Sequence, residues 1–344
     1  MVKSQTVLVT GATGYIAKHI VVKLLNAGYK VVGSVRTLSR GEDVIAAVSR
    51  HLTDAENLDK RLRFVALDLS NDNGWETAMD GVDILMHTAS PFPLEQPKDE
   101  QEVIRPAVDG ALRALRAAKA AGIKRVVMTS SAVAVMDSDL APGKTAYNEE
   151  NWTDLNHASV TPYGKSKTLA ERAAWKFVTD EAPEISLTTI NPVLVTGPPL
   201  DNNFGTSVSI VQRLLTAKDP MIPNFGFPIV DVRDVAEMHV RALQSDESGG
   251  KRILAVDGFL WFMDIAKMLK AQFPDRKIVT LPAPNFVVRL LAIFDKSIRQ
   301  VVPILGKKIE VSNARAQSIL GMKFIPAADS IQETAAFLVE NDLV

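Results

Sequence analysis

Apolar and polar residues alternate along the chain in blocks whose period changes. Thr6–Thr10 is a short β-branched apolar run, the pattern of a buried strand. Ile16, Ile20 and Leu24 then recur at i, i+4 and i+8, which predicts an amphipathic helix beginning near Tyr15. Similar apolar runs predict strands at Tyr29–Val35, Arg63–Leu67, Val82–Met86, Lys124–Thr129 and Glu184–Ile190, with a last one at Arg252–Val256. Between them Gly41–Lys60, Gln101–Ala121 and a stretch opened by Thr161 or Pro162 read as helices. Such regular alternation indicates right-handed βαβ units and a parallel sheet. The loop Asp137–Ala158 is long for a connection.

Beyond Gly197-Pro198-Pro199 the alternation stops. Thr206–Ala217 reads as a helix, Met221–Pro228 as a Pro/Gly-rich loop, and Asp231 opens another helix. The remainder is mainly helical, at Phe262–Gln272, Asn285–Val302, Asn313–Leu320 and Ser330–Asn341. The expected fold is α/β: a Rossmann-type doubly wound parallel sheet with a smaller, mainly helical C-terminal substrate lobe. Residues 1–192 and 228–257 are assigned to the sheet domain, and 193–227 with 258–344 to the lobe.

Gly11 and Gly14 stand between the first strand and the first helix. In that place Gly11 permits a tight turn, and Gly14 lets the backbone approach a pyrophosphate. The helix-start amides would face the anion, with the helix dipole behind them. At the end of the second strand an NAD-type site places an acid, but this chain has Arg36, with Arg40 close behind. Arg can grip a 2′-phosphate through a bidentate fork. One charged hydrogen bond is worth about 1.5–3 kcal/mol, roughly a ten- to hundredfold preference for NADP over NAD. Asp68, followed by Leu69, closes the third strand, where it could accept from an adenine amino group or cap the next helix. His87-Thr88-Ala89-Ser90-Pro91 closes the fourth with mostly small residues, past which a cofactor backbone could run. His87 reads as structural, and no second His stands at ligand spacing, so no metal is assigned.

Tyr163 and Lys167 are at i, i+4 and share a helix face. A phenol titrates near ~10, and a neighbouring ammonium is expected to lower that value. Tyr163 so placed could give its proton to a carbonyl oxygen, or take it back in reverse. Ser131, at the end of the fifth strand, could hold the same oxygen. The hydride must come from the cofactor.

Composition narrows the field. The chain has 344 residues, a net charge of −1 and no Cys. These values offer no electrostatic case for nucleic acid or an anionic membrane, and they exclude disulfides and thiol chemistry. No apolar stretch is long enough to span a bilayer; the nearest, Phe286 to Phe294, is short and broken by Arg289. The N-terminus runs straight into the first strand, so no signal peptide and a cytoplasmic location are expected.

Taken together, the motifs resemble those of extended short-chain dehydrogenases/reductases, and most closely the dihydroflavonol reductase-like group. That group includes cinnamoyl-CoA reductases and fungal and yeast aldehyde and methylglyoxal reductases. The likeness is carried by Thr10 through Ala17, His87 through Pro91, Thr129-Ser130-Ser131, Asn148 through Trp152, Tyr163 through Lys167, Asn191-Pro192 and Asp231 through Val235. It implies Ser131, Tyr163 and Lys167 as the catalytic set. It implies an NADPH site at Gly11, Thr13, Gly14, Tyr15, Ile16, Arg36, Asp68, Leu69, Thr88, Ala89, Ser90, Pro192 and Val193, with Lys167 on the nicotinamide ribose. Two departures stand out: only Arg40 is available where a Lys often assists Arg36, and Val108-Asp109-Gly110 replaces the more usual Val-Asn-Gly. Phe92, Val133, Phe204 and Phe227 are candidate pocket walls. The resulting expectation is an NADPH-dependent reductase of small-molecule aldehydes or ketones, monomeric or homodimeric, without nucleic-acid or membrane partners. An NAD-dependent nucleotide-sugar epimerase or dehydratase is the alternative, and a non-catalytic NADP sensor the third reading.

Overall fold

A computed structural model describes residues 5–90, 99–294, 296–299 and 301–344. Its strands are β1 (Thr6–Val9), β2 (Lys30–Val35), β3 (Leu62–Ala66), β4 (Ile84–His87), β5 (Arg125–Thr129), β6 (Ser186–Pro192), β7 (Leu194–Thr196), β8 (Ile222–Pro223), β9 (Gly226–Asp231), β10 (Lys251–Ala255), β11 (Gly258–Trp261) and β12 (Pro282–Ala283). The helices are α1 (Tyr15–Asn26), α2 (Arg40–Ser49), α3 (Leu58–Arg61), α4 (Trp75–Ala78), α5 (Gln101–Ala120), α6 (Pro162–Asp180), α7 (Thr206–Leu215), α8 (Val232–Gln244), α9 (Phe262–Gln272), α10 (Asn285–Leu291), α11 (Lys296–Arg299), α12 (Ala314–Leu320) and α13 (Ala327–Glu340).

Seven parallel strands form the central sheet in the order β10-β6-β5-β4-β1-β2-β3. Successive side chains in a strand point to opposite faces, so each strand feeds two cores. Val7 and Val9 join the layer with α1 and α8, while Leu8 joins the layer with α5 and α6. Ile84 and Met86 divide from Leu85 in the same way. Burial on both faces explains why these strands read as continuous apolar runs rather than as alternations. The chain leaves β1 toward β2 on one side and resumes at β4 on the other. That reversal opens a crevice at the carboxyl ends of β1 and β4, where α/β sheets bind ligands.

The Met221–Pro228 stretch, expected as a loop, holds β8 and the start of β9, which joins β7 and β11 in a second sheet of order β11-β9-β7. Gly226 looked like a loop glycine, but a Cβ there would lie 2.4 Å from the Leu260 carbonyl oxygen. It is a close-packing glycine where β9 meets β11. The expected helix Gly41–Lys60 ends at Ser49, because Asn26 Oδ1 captures the Thr53 amide at 2.9 Å and Asp54 turns the chain onto the Glu56 amide at 2.7 Å. Asn285–Val302 is likewise interrupted. After Leu291 the amides of Ile293 and Phe294 bond three residues back, which closes α10.

Candidate active site

The glycine turn is built by the strand before it. Thr10 Oγ1 accepts the amides of Thr88 and Ala89, each at 3.0 Å, fastening the end of β1 to the end of β4. A hydroxyl that accepts twice gives its proton to its third neighbour, His87 Nδ1, at 2.9 Å. His87 is therefore neutral with its proton on Nε2. Burial and then the Lys167 charge push its pKa down to about 4. The structural role expected for His87 is the one seen.

Gly11 has φ +68°, and a Cβ would stand 3.0 Å from Ala89 Cβ. No side chain caps α1, whose first turn carries no acid. An anion can therefore meet the unpartnered first-turn amides and the positive end of the helix. Tyr15 is used differently: its hydroxyl donates to the Gly197 carbonyl at 2.6 Å, leaving only its backbone and ring edge for a ligand.

At the other end of the crevice, Thr161 caps α6 by accepting the Gly164 amide at 3.1 Å, and Pro162 fills the first helical position. This start fixes Tyr163 and Lys167 one turn apart, with Lys167 Nζ 5.9 Å from the Tyr163 ring centroid. Burial pushes the Tyr163 phenol up to about 12, and a hydrogen bond with Ser131 opposes that rise. Burial also brings the Lys167 ammonium down to about 8, against the pull of Glu171. The lowering of Tyr163 expected from Lys167 is thus corrected: burial raises the phenol, and the opposing contribution comes from Ser131. A neutral phenol beside a largely charged lysine still suits a proton donor.

These features share one cleft of ≈ 870 Å³. Of the residues named from sequence, Gly11, Gly14, Tyr15, Ile16, Thr88, Ser90, Ser131, Tyr163, Lys167, Pro192 and Val193 line it. Val133, Phe204 and Phe227 also line it, joined by Met136, Ile304 and Ile309, which sequence reasoning missed. Thr13, Arg36, Asp68, Leu69 and Ala89 lie outside this lining. Thr13 offers its carbonyl to Asn203 Nδ2 at 3.0 Å. Asp68 Oδ1 accepts the Ser70 amide at 2.8 Å and hydroxyl at 2.7 Å, which places it in a local turn. Arg40 is paired with Asp43 at 2.5 Å. Asp109 is exposed, and nothing in the structure explains its place in the motif. Pro91 and Phe92 lie outside the described residues.

Two motifs take their meaning from packing. Arg252 lies 3.6 Å from the Trp152 ring centroid and donates to the Glu149 and Asn151 carbonyls at 3.0 and 2.7 Å, so Asn148–Trp152 is wrapped around one buried guanidinium. Asp231 caps α8 through the Arg233 amide at 2.8 Å and packs against Gly197, whose φ of +112° suits glycine. Arg252 also pairs at 2.7 Å with Glu171, a fully buried carboxylate unnoticed in the sequence. Its spacing, eight residues after Tyr163 on the same face, was the available signal.

The family model described as NAD dependent epimerase/dehydratase matches residues 7–256. Over 359 residues the chain is 30% identical to an NADPH-dependent methylglyoxal reductase of Saccharomyces cerevisiae, covering 97% of this chain and 98% of that one. It is 36% identical over 279 residues to a cinnamoyl-CoA reductase of Arabidopsis thaliana, covering 80% and 77% of the two chains. The crystal structure of yeast methylglyoxal/isovaleraldehyde reductase complexed with NADPH superposes with a TM-score of 0.80 at 28% identity, covering 99% of this chain and 100% of that one. These relatives favour the reductase expectation over the epimerase alternative. The fold, the ordered motifs and the length of the match agree: the chain belongs to the NAD dependent epimerase/dehydratase family, the extended short-chain dehydrogenases/reductases.

Proposed function

We propose that this protein is an NADPH-dependent reductase of aldehydes or ketones. The observation that carries the reading is the single cleft lined by the glycine turn, the Ser131–Tyr163–Lys167 set and several apolar side chains. NADPH fits the residues present: Gly11 takes a left-handed turn tight against Ala89, and the start of α1 is uncapped. Gly11, Thr13, Gly14 and the amides of Tyr15 and Ile16 would hold the pyrophosphate, and Arg36 the 2′-phosphate. Asp68 and Leu69 would border the adenine, Thr88, Ala89 and Ser90 the cofactor backbone, and Pro192 and Val193 the nicotinamide. When bound, NADPH supplies the hydride.

The chain's own residues do the rest. Ser131 and Tyr163 hold the substrate carbonyl oxygen. Tyr163 gives its phenolic proton to that oxygen, and the Lys167 ammonium stabilises the phenolate left behind. Val133, Phe204 and Phe227 exclude water from the reacting carbon. We assign residues 1–192 with 228–257 to a cofactor domain and 193–227 with 258–344 to a substrate lobe, with the β11-β9-β7 sheet joining the two stretches. Among the described residues no helix is long and apolar enough to cross a membrane; we read the protein as cytoplasmic and as a monomer or homodimer. The test is NADPH oxidation, with NADH alongside, over aromatic aldehydes, β-keto esters and α-dicarbonyls. Turnover is expected with NADPH. Silence there, with turnover of UDP- or GDP-sugars, would transfer the site to epimerase chemistry.

A further inference from the structure

Tyr163, Lys167 and Glu171 follow one another at i, i+4 and i+8 along α6, on one face. Glu171 is fully buried, and two of the donors it accepts from, Ser130 and Asn191, adjoin site residues. The Ser130 hydroxyl donates to Oε2 at 2.6 Å, next to Ser131. Asn191 Nδ2 donates to the same oxygen at 2.7 Å and to the Ser131 carbonyl at 3.2 Å, next to Pro192. Thr189 Oγ1 donates to Oε1 at 3.0 Å, Trp175 Nε1 at 3.2 Å and Arg252 Nε at 2.7 Å.

A buried carboxylate with five donors is held firmly. It joins the helix that carries Tyr163 and Lys167 to the strand ends that carry Ser131 and Pro192. We propose that Glu171 is a positioning residue of the active site: it fixes Ser131 against Tyr163 through Ser130 and Asn191, and stands as a buried anion one turn from Lys167. The kinetic part rests on the reductase reading.

Without Glu171 the positions of β5 and β6 relative to α6 lose their shared anchor. Misplacement on the scale of 1 Å costs on the order of a hundredfold in rate. The charge also matters. Among the described residues, the ionisable groups set against Lys167 are Tyr163 and Glu171 on its own helix and His87 at the end of β4, and Arg252 on β10 pairs with Glu171. Among them Glu171 is the anion that favours the Lys167 ammonium, whose pKa burial holds at about 8. Loss of that anion favours the neutral amine and moves the Lys167 titration further down, by about one pH unit or more.

The experiment compares wild type with Glu171→Gln in two ways. NMR of 13C-lysine-labelled protein follows the Lys167 titration directly, with Lys167→Met for assignment, and needs no turnover. Steady-state reduction across pH 5–10 follows kcat and KM (roughly the range in which Lys167 changes charge). We expect the Lys167 titration and the alkaline limb of kcat to shift together to lower pH, with kcat down on the order of a hundredfold and KM for the carbonyl little changed. A Lys167 titration identical to wild type, or an equal loss at every pH, would overturn the proposal. If Glu171→Gln does not accumulate because Arg252 is left unpaired, the double variant Glu171→Gln, Arg252→Met removes both charges and is judged by the same two readouts. A wild type that reduces no carbonyl would sink the reductase reading, and the NMR titration would still decide the role of Glu171.

Discussion

Lys167 stands 5.9 Å from the centre of the Tyr163 ring, one helical turn along α6, and both side chains are buried. Their titrations are pushed apart, the phenol up to about 12 and the ammonium down to about 8. Between those values Tyr163 keeps its proton while Lys167 loses its charge. Reduction should therefore be fastest below about pH 8 and fall as the pH rises through it, because the phenolate formed on proton transfer loses its counter-charge. A kcat profile flat through this range, with chemistry rate-limiting, would contradict the assignment. The stability effect has the opposite sign. Lys167 titrates lower when folded than its ordinary value of 10.5, so the folded state gains stability as the pH climbs from about 8 toward that value.

Arg36 and Arg40 have different carboxylate neighbours, Asp68 for the first and Asp43 for the second. Arg40 is already paired with Asp43, so Arg36 carries the 2′-phosphate alone in this account. Arg36→Ala should weaken NADPH binding about ten- to a hundredfold and leave NADH unchanged. Asp43→Ala should free Arg40 and sharpen the NADPH preference. Calorimetric titration of both cofactors against both variants checks the pair.

Gly11→Ala combines a left-handed backbone with a Cβ 3.0 Å from that of Ala89. The backbone strain alone is about 1–2 kcal/mol. A Tm drop of several degrees together with a loss of NADPH affinity of tenfold or more is expected. Wild-type NADPH affinity in this variant would show that the turn does not cradle the cofactor.

Asp234 accepts the Ile325 amide at 2.7 Å, and burial raises its pKa to about 6. The folded state thus holds this proton more tightly than the unfolded chain. The stabilisation is complete below the ordinary carboxylate value and is lost as the pH rises through about 6. Asparagine keeps an acceptor for Ile325 and carries no charge. Asp234→Asn should raise Tm at pH 7 by a few degrees and change it little at pH 4. Thermal melts at the two pH values decide the matter.

How much of this was legible beforehand follows from the range of each interaction. The strands of the central sheet, α1, α5 and α6 announce themselves because apolar runs, glycines and caps are local signals. Tyr163, Lys167 and Ser131 are named from sequence because two share a turn and the third follows a strand, and all three line the one cleft. Glu171 was within reach of the same helical arithmetic, but the meaning of a lone glutamate depends on Ser130, Asn191 and Arg252, which come from three strands. Ile304 and Ile309 could not be assigned to the cleft for the same reason. Gly226 misled because a glycine needed for close strand packing looks like one needed for a loop. The rise of Tyr163 to about 12 was missed because burial is a tertiary property, while the nearby lysine is visible in sequence.

The central claim is that the cleft transfers hydride to a carbonyl with Tyr163 as proton donor. The most direct measurement is NADPH oxidation at pH 7 over the carbonyl panel, for wild type and Tyr163→Phe in parallel, with NADPH binding followed by fluorescence. Wild type is expected to turn over, Tyr163→Phe to show nothing above background, and the two to bind NADPH with near-equal affinity. Undiminished turnover by Tyr163→Phe would contradict it.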